Sequence, residues 1–208
     1  MADKGRRYLI NKEFFNHWTN GMAWVLGLMW ADGNICLNKN TGSSKRIRLY
    51  SNDIETLQKV KKIMKAFHPI KFHRNKCYMI DIGSKDIYFS LIKIGFKNRN
   101  KFPNVPQKYL SHFVRGFFDG DGSVYANGKY SIKISFYNQK DKFLLTLRDK
   151  IIEIGCRVSK VMWVEKANCF RLGTGDRKIV GWLYKNKGNN YMLRKFIKAQ
   201  ALGGFQVG

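Results

Sequence analysis

One stretch of this chain is written twice. Val25-Leu26-Gly27-Leu28-Met29-Trp30-Ala31-Asp32-Gly33 returns as Val114-Arg115-Gly116-Phe117-Phe118-Asp119-Gly120-Asp121-Gly122, in a repeat of about 90 residues. Each copy reads as the end of an apolar helix with small residues four apart, Gly27 and Ala31 in one, Gly116 and Gly120 in the other. Residues at i and i+4 share a helix face, so two such helices can bring their backbones very close. Each ends in Asp-Gly, where glycine permits the left-handed turn that stops a helix. Asp32 and Asp121 are thereby left at helix C-termini, the end where the macrodipole disfavours an anion. Two carboxylates set side by side there ask for a cation.

The repetition extends beyond the two motifs. After Gly33, Asn34, Cys36 and Asn38 alternate with Ile35 and Leu37, and after a turn at Thr41–Ser44, Arg46, Arg48 and Tyr50 alternate with Ile47 and Leu49. This is a hairpin with one greasy and one polar, basic face. Asp53 is placed to cap a helix carrying Leu57, Val60, Ile63 and Met64. A second hairpin fits Ile70–Phe72 and Cys77–Ile82, and Ser84 can cap a helix through Ile94. The second half has the same order: a motif helix from Pro106, a hairpin turning at Asn127-Gly128, a helix from Lys140 to Ile154, strands over Val158–Val164 and Cys169–Leu172, and a helix from Asp176. Tyr191–Ala201 adds a final basic helix. The expected class is α+β, a tandem pseudo-symmetric repeat of α-β-β-α-β-β-α units. Residues 1–18 form a lead-in, 19–97 the first half, 98–105 a linker, and 106–208 the second half with its terminal helix.

Charge decides what such a scaffold meets. Lys and Arg number 39 against 14 Asp and Glu, a net charge of +25, so a polyanion is the expected partner. The longest apolar runs are too short to span a bilayer and no signal-peptide pattern opens the chain, which makes membrane binding the weaker reading. Cys36, Cys77, Cys156 and Cys169 lie far apart with no Cys-x-x-Cys pair, favouring free thiols in an intracellular protein over zinc or disulfides. Treating the hairpins of each half as one antiparallel sheet displays Asn34, Asn38, Arg46, Arg48, Tyr50, Lys71 and His73 on one polar face. The other half displays Ser123, Tyr125, Ser131, Lys133, Ser135 and Tyr137. Arg suits guanine edges, Asn adenine and Lys phosphate, so these faces suit a DNA major groove.

The two motif segments resemble the LAGLIDADG motif of homing endonucleases. The first matches at Gly27, Leu28, Ala31, Asp32 and Gly33, the second at Gly116, Asp119, Asp121 and Gly122. The resemblance implies a monomeric, site-specific endonuclease that holds double-stranded DNA under a saddle of two sheets joined at the motif helices. Its target would be long and asymmetric. Asp32 and Asp121, with the Ala31 and Gly120 carbonyls as further donors, would bind Mg²⁺, with Mn²⁺ or Ca²⁺ as substitutes in binding. Cutting over the minor groove would leave short 3′ overhangs. Asn52 and Gln139 stand where a polar residue assists the water in this family; each is also a credible helix cap. Lys101 and Lys195, followed by Phe102 and Phe196, are candidates for stabilising charge on the phosphate, with plain phosphate contact as their alternative. Asp119 is expected in a structural role, pairing with Arg115.

Two other functions fit the same fold: an RNA-splicing maturase that binds intron RNA, and a DNA-binding regulator without catalysis. Retention of both motif acids favours cleavage. An intein is disfavoured, since the chain lacks a leading Cys or Ser and a terminal His-Asn pair. The expected setting is intracellular, with access to DNA.

Overall fold

A computed structural model describes residues 8–37, 45–74, 76–126 and 132–203. The expected turns at Thr41–Ser44 and Asn127-Gly128, together with Asn38 and Ser131, fall outside the described residues. The first unit runs α1 (Asn20–Asp32), β1 (Gly33–Leu37), β2 (Lys45–Ser51), α2 (Ile54–Met64), β3 (Ile70–His73), β4 (Cys77–Gly83) and α3 (Lys85–Ile94). The second repeats it as α4 (Leu110–Asp121), β5 (Gly122–Ala126), β6 (Ile132–Asn138), α5 (Asp141–Glu153), β7 (Met162–Val164), β8 (Cys169–Thr174) and α6 (Lys178–Tyr184), followed by α7 (Leu193–Gly203). Each unit builds one antiparallel sheet, ordered β1-β2-β4-β3 and β5-β6-β8-β7. This is the tandem α+β arrangement expected from the repeat.

Local chemistry starts each helix. Thr19 caps α1 by accepting from the Met22 N–H, Asp53 caps α2 through the Glu55 N–H, and Ser84 caps α3 through the Ile87 N–H. Two elements are shorter than expected. The segment after Pro106 is a 3-10 turn over Gln107–Tyr109 before α4 begins, and Val158–Val161 stays outside the ladder, so β7 starts at Met162.

Helices α1 and α4 pack against each other along the small-residue face. A Cβ on Gly27 would lie 2.1 Å from the Phe113 carbonyl oxygen, and one on Gly116 only 2.0 Å from that of Trp24. No side chain larger than hydrogen fits at either position. The motif-ending glycines have a different purpose from the one expected. Gly33 (φ −85°) and Gly122 (φ −98°) are extended, not left-handed, because β1 and β5 leave directly from the helix ends. A Cβ there would meet the Met29 carbonyl oxygen at 2.4 Å and the Phe118 ring at 2.1 Å. Close approach, not a positive φ, requires these glycines.

One face of each sheet carries the core, with Ile47, Leu49, Ile80 and Ile82 buried in the first and Ile134, Phe136 and Leu172 in the second. Among the described residues no helix is long and apolar enough to cross a membrane.

Candidate functional site

The tight seam decides where the motif acids stand. A Cβ on Gly120 would fall 2.3 Å from the Ala31 Cβ and 2.9 Å from Oδ2 of Asp32, so the two helices end side by side. Burial raises the pKa of both acids. Desolvation and the neighbouring Asp32 carboxylate push Asp121 up to about 7. Desolvation also raises Asp32, opposed by the positive charges of Lys195 and Arg99. Among the described residues no three His, Cys, Asp or Glu side chains cluster together. A divalent ion placed here would meet this carboxylate pair, two hard oxygen donors whose mutual repulsion it would relieve.

Two cations, the buried Lys195 and the half-buried Arg99, brace the helix ends. Lys195 donates through Nζ to the carbonyl oxygens of Phe118 (2.6 Å), Asp119 (2.8 Å), Gly120 (3.2 Å) and Gly122 (2.6 Å). Three of these carbonyls belong to the last turn of α4, where a cation also complements the dipole, and the fourth to the first residue of β5. Burial lowers the Lys195 pKa to about 8, against the pull of Asp119. In the first half the same task falls to Arg99, which donates to the Trp30 (3.4 Å) and Gly33 (2.8 Å) carbonyls. Trp30 and Gly33 are the repeat equivalents of Asp119 and Gly122. Lys101, the expected counterpart of Lys195, is exposed two residues further on. The Lys-Phe match misleads because Lys195 rides on α7, whereas Arg99 follows a 3-10 turn at Phe96–Asn98. Nothing in the sequence separates Arg99 from its basic neighbours; its stacking on the Phe96 ring, 5.1 Å away, appears only in the fold.

Asp119 is fully buried and accepts from the Trp24 indole N–H (2.8 Å) and the Met192 backbone N–H (2.9 Å). Desolvation raises its pKa to about 6. The expected hydrogen-bonded pairing with Arg115 is replaced. Arg115 turns to the Asn190 carbonyl (2.6 Å), the Leu183 carbonyl and Nδ1 of His112 (2.6 Å), because the chain before α7 crosses that side of the helix. Asn52 and Gln139 are exposed just beyond β2 and β6 and cap nothing. Asp53 caps α2, and Asn138 accepts from the Lys140 N–H.

Strand register sorts the remaining candidates. Asn34 pairs with Arg48, Cys36 with Arg46, Arg48 with Asp81, Tyr50 with Met79, Lys71 with Met79 and His73 with Cys77. Directly paired residues share a sheet side, so Asn34, Arg46, Arg48, Tyr50, Lys71 and His73 occupy one face. In the second sheet Ser123, Tyr125, Lys133, Ser135 and Tyr137 do likewise, joined by Arg171 opposite Tyr137. Ser135 corrects the expectation for this face: it is 0% exposed and offers no hydroxyl to the surface. Its cross-strand partner is Gly173. Asp81 and Arg171 were missed, although the alternation of Ile80, Ile82 and Leu172 puts both on the polar side.

A family model of a LAGLIDADG-like domain matches residues 108–155. An uncharacterized protein of Methanocaldococcus jannaschii is 29% identical over 112 residues, 51% of this chain and 40% of that protein. A probable translation initiation factor IF-2 of Thermococcus kodakarensis is 26% identical over 174 residues, 76% of this chain and 15% of that protein. The chain therefore spans well under two thirds of the length of these curated relatives. The structure is similar to that of I-DmoI in complex with DNA and calcium, at 14% identity and TM-score 0.62, covering 94% of this chain and 100% of that one. It is also similar to I-SmaMI bound to an uncleaved DNA target with calcium ions, at 12% identity and TM-score 0.55, covering 90% and 98%. At these identities the likeness is one of fold. The match over residues 108–155 places a LAGLIDADG-like domain in the second half, and the architecture as a whole is similar to that of these single chains.

Proposed function

We propose that the protein is a site-specific double-strand DNA endonuclease of the homing type. The observation that carries this reading is the side-by-side placement of Asp32 and Asp121 at the helix seam, between two sheets with polar, cation-bearing faces. Asp32 and Asp121 would hold the divalent ion, for which Mg²⁺ is the proposed physiological choice. Such an ion supplies charge neutralisation at the phosphate and activation of a water.

The protein's own groups do the rest. The sheet faces bind duplex DNA and set its register, with phosphate contacts positioning and base contacts discriminating. Lys195 has four carbonyl acceptors for three N–H bonds. It therefore acts on the phosphate through its field rather than by direct contact, and it opposes the protonation that burial favours at the neighbouring carboxylates. Arg99 adds its positive charge beside the same two carboxylates from the first half. Asn52 and Gln139, freed of capping duty, are available to orient water. The two halves differ in sequence, so the target is asymmetric, and a single chain supplies both strand-cutting centres and leaves short 3′ overhangs. The test is incubation with a plasmid library of randomised inserts and Mg²⁺, followed by sequencing of the ends. Cleavage at one sequence with short 3′ overhangs supports the reading; uncut plasmid with retained binding would make the protein a silent DNA binder.

A further inference from the structure

On the polar face of the first sheet, between two arginines, sits one acid. Asp81 lies on β4 directly across from Arg48 and one step along from the Arg46 pair. One carboxylate oxygen accepts from the Nε of Arg46 at 2.8 Å, the other from the Nε of Arg48 at 3.3 Å. The Asp81 side chain is 15% exposed and those of the arginines 32% and 35%, so the acid sits beneath the two guanidinium groups. The second sheet is built differently. Ser135 and Lys133 stand in the places of Arg48 and Arg46, and opposite the buried Ser135, where Asp81 would be, is Gly173; Arg171 lies two residues away, opposite Tyr137.

A carboxylate on a DNA-facing surface weakens attraction to phosphate, so Asp81 is not there to raise affinity. What it supplies is order. Each long arginine is gripped at Nε, which fixes the plane of its guanidinium and leaves the Nη amino groups as the fork to present. Two of the positive charges are offset by one negative charge, which lowers their pull toward any passing phosphate. A fixed Arg fork matches the O6 and N7 acceptors of guanine.

We infer that Asp81 is a specificity-determining residue. It positions Arg46 and Arg48 to read two guanines in the half-site under the first sheet, while the second sheet, with Lys133 and Arg171 and no such acid, leans more on the DNA backbone. The inference rests on the DNA-binding reading above. It makes the target unequal in stringency, sharp at two positions under one wing and more tolerant under the other.

The experiment is selection of a randomised double-stranded DNA library by the full chain in chelator, followed by salt titration of binding to an unrelated duplex. The wild-type chain should enrich guanine at two neighbouring positions of one half-site. Asp81→Asn should reduce that preference by on the order of tenfold, bind the unrelated duplex more tightly, and steepen the log–log salt dependence by about 1. Arg46→Lys keeps the charge but removes the Nε grip, so it should relax one of the two positions without steepening the slope. Asp81→Glu should retain most of the preference. Wild-type base preference in Asp81→Asn and Arg46→Lys, with altered thermal stability alone, would overturn the inference and reduce Asp81 to a structural ion pair. Failure of the wild-type chain to enrich any sequence would instead overturn the DNA-endonuclease reading itself.

Discussion

The indole N–H of Trp24 reaches across the helix seam to a carboxylate oxygen of Asp119, 2.8 Å away and 95 residues along the chain. The same oxygen takes the backbone N–H of Met192 at 2.9 Å. One buried carboxylate thus ties the first motif helix, the second motif helix and the entry to α7, the helix that delivers Lys195.

Asp119→Ala leaves two buried N–H donors without a partner. The expected cost is about 2–4 kcal/mol of stability, read by chemical denaturation, with faster amide exchange at Met192 and slower cleavage although Asp32 and Asp121 are intact. Because burial lifts the Asp119 pKa to about 6, the folded state holds its proton more tightly than the unfolded chain. Stability contributed by this group therefore falls as pH rises between about 4 and 6, and Asp119→Asn should lose that slope. A variant with unchanged exchange at Met192 would refute the tie.

Asp32→Asn and Asp121→Asn should each lower Mg²⁺-dependent cleavage by several orders of magnitude while DNA binding in chelator holds or tightens. The folded chain should become more stable at pH 8, because each carboxylate is held above its ordinary pKa in the fold. Such a group destabilises the charged state, an effect absent at acid pH and fully present above about 7 for Asp121. Thermal scans at pH 5 and pH 8 measure it; full cleavage by either variant would remove the shared carboxylate centre.

Lys195→Met and Arg99→Met strip the cations from the ends of α4 and α1. Both should slow cleavage, and Lys195→Met should also cost roughly 2–3 kcal/mol, since several buried carbonyls lose their donor. Lys101→Met, on an exposed side chain, should change stability by less than about 0.5 kcal/mol. If Lys101→Met slows cutting more than Arg99→Met, the braces are wrongly assigned.

Gly27→Ala and Gly116→Ala put a methyl group within about 2 Å of opposing backbone. Backbone cannot step aside as a side chain can, so each should cost about 3 kcal/mol or more. Gly83→Ala, with nothing within 4 Å of its added carbon, is the control and should leave the unfolding midpoint unchanged.

The architecture was legible because period decides it. Alternation in Arg46–Tyr50 and the repeat of the motif at Gly27 and Gly116 are local signals that the fold obeys. What escaped depends on three-dimensional partners. Asp81 reads as one acid in a strand until register sets it between two arginines. Arg99 reads as one cation among several until the 3-10 turn aims it at the Gly33 carbonyl. The closing glycines were recognised but for the wrong cause, since the sequence does not show whether a strand leaves the helix end straight or through a left-handed turn. Ser135 was placed on the correct side, yet pattern alone does not reveal how far a side chain sinks.

The glycine seam between α1 and α4 also makes the molecule divisible. Besides the backbone contact itself, the halves meet through side chains that include Trp24 on Asp119, Lys59 on the Tyr191 carbonyl at 2.9 Å and the Trp30 ring edge-on to that of Phe113. A chimera joining residues 1–105, which carry Arg99, to the second half of a relative would need to match those contacts and the two glycines. The spacing between Asp32 and Asp121 belongs to the seam, so under the proposed function new recognition faces could be grafted, or drift, one wing at a time without resetting the distance between the two carboxylates.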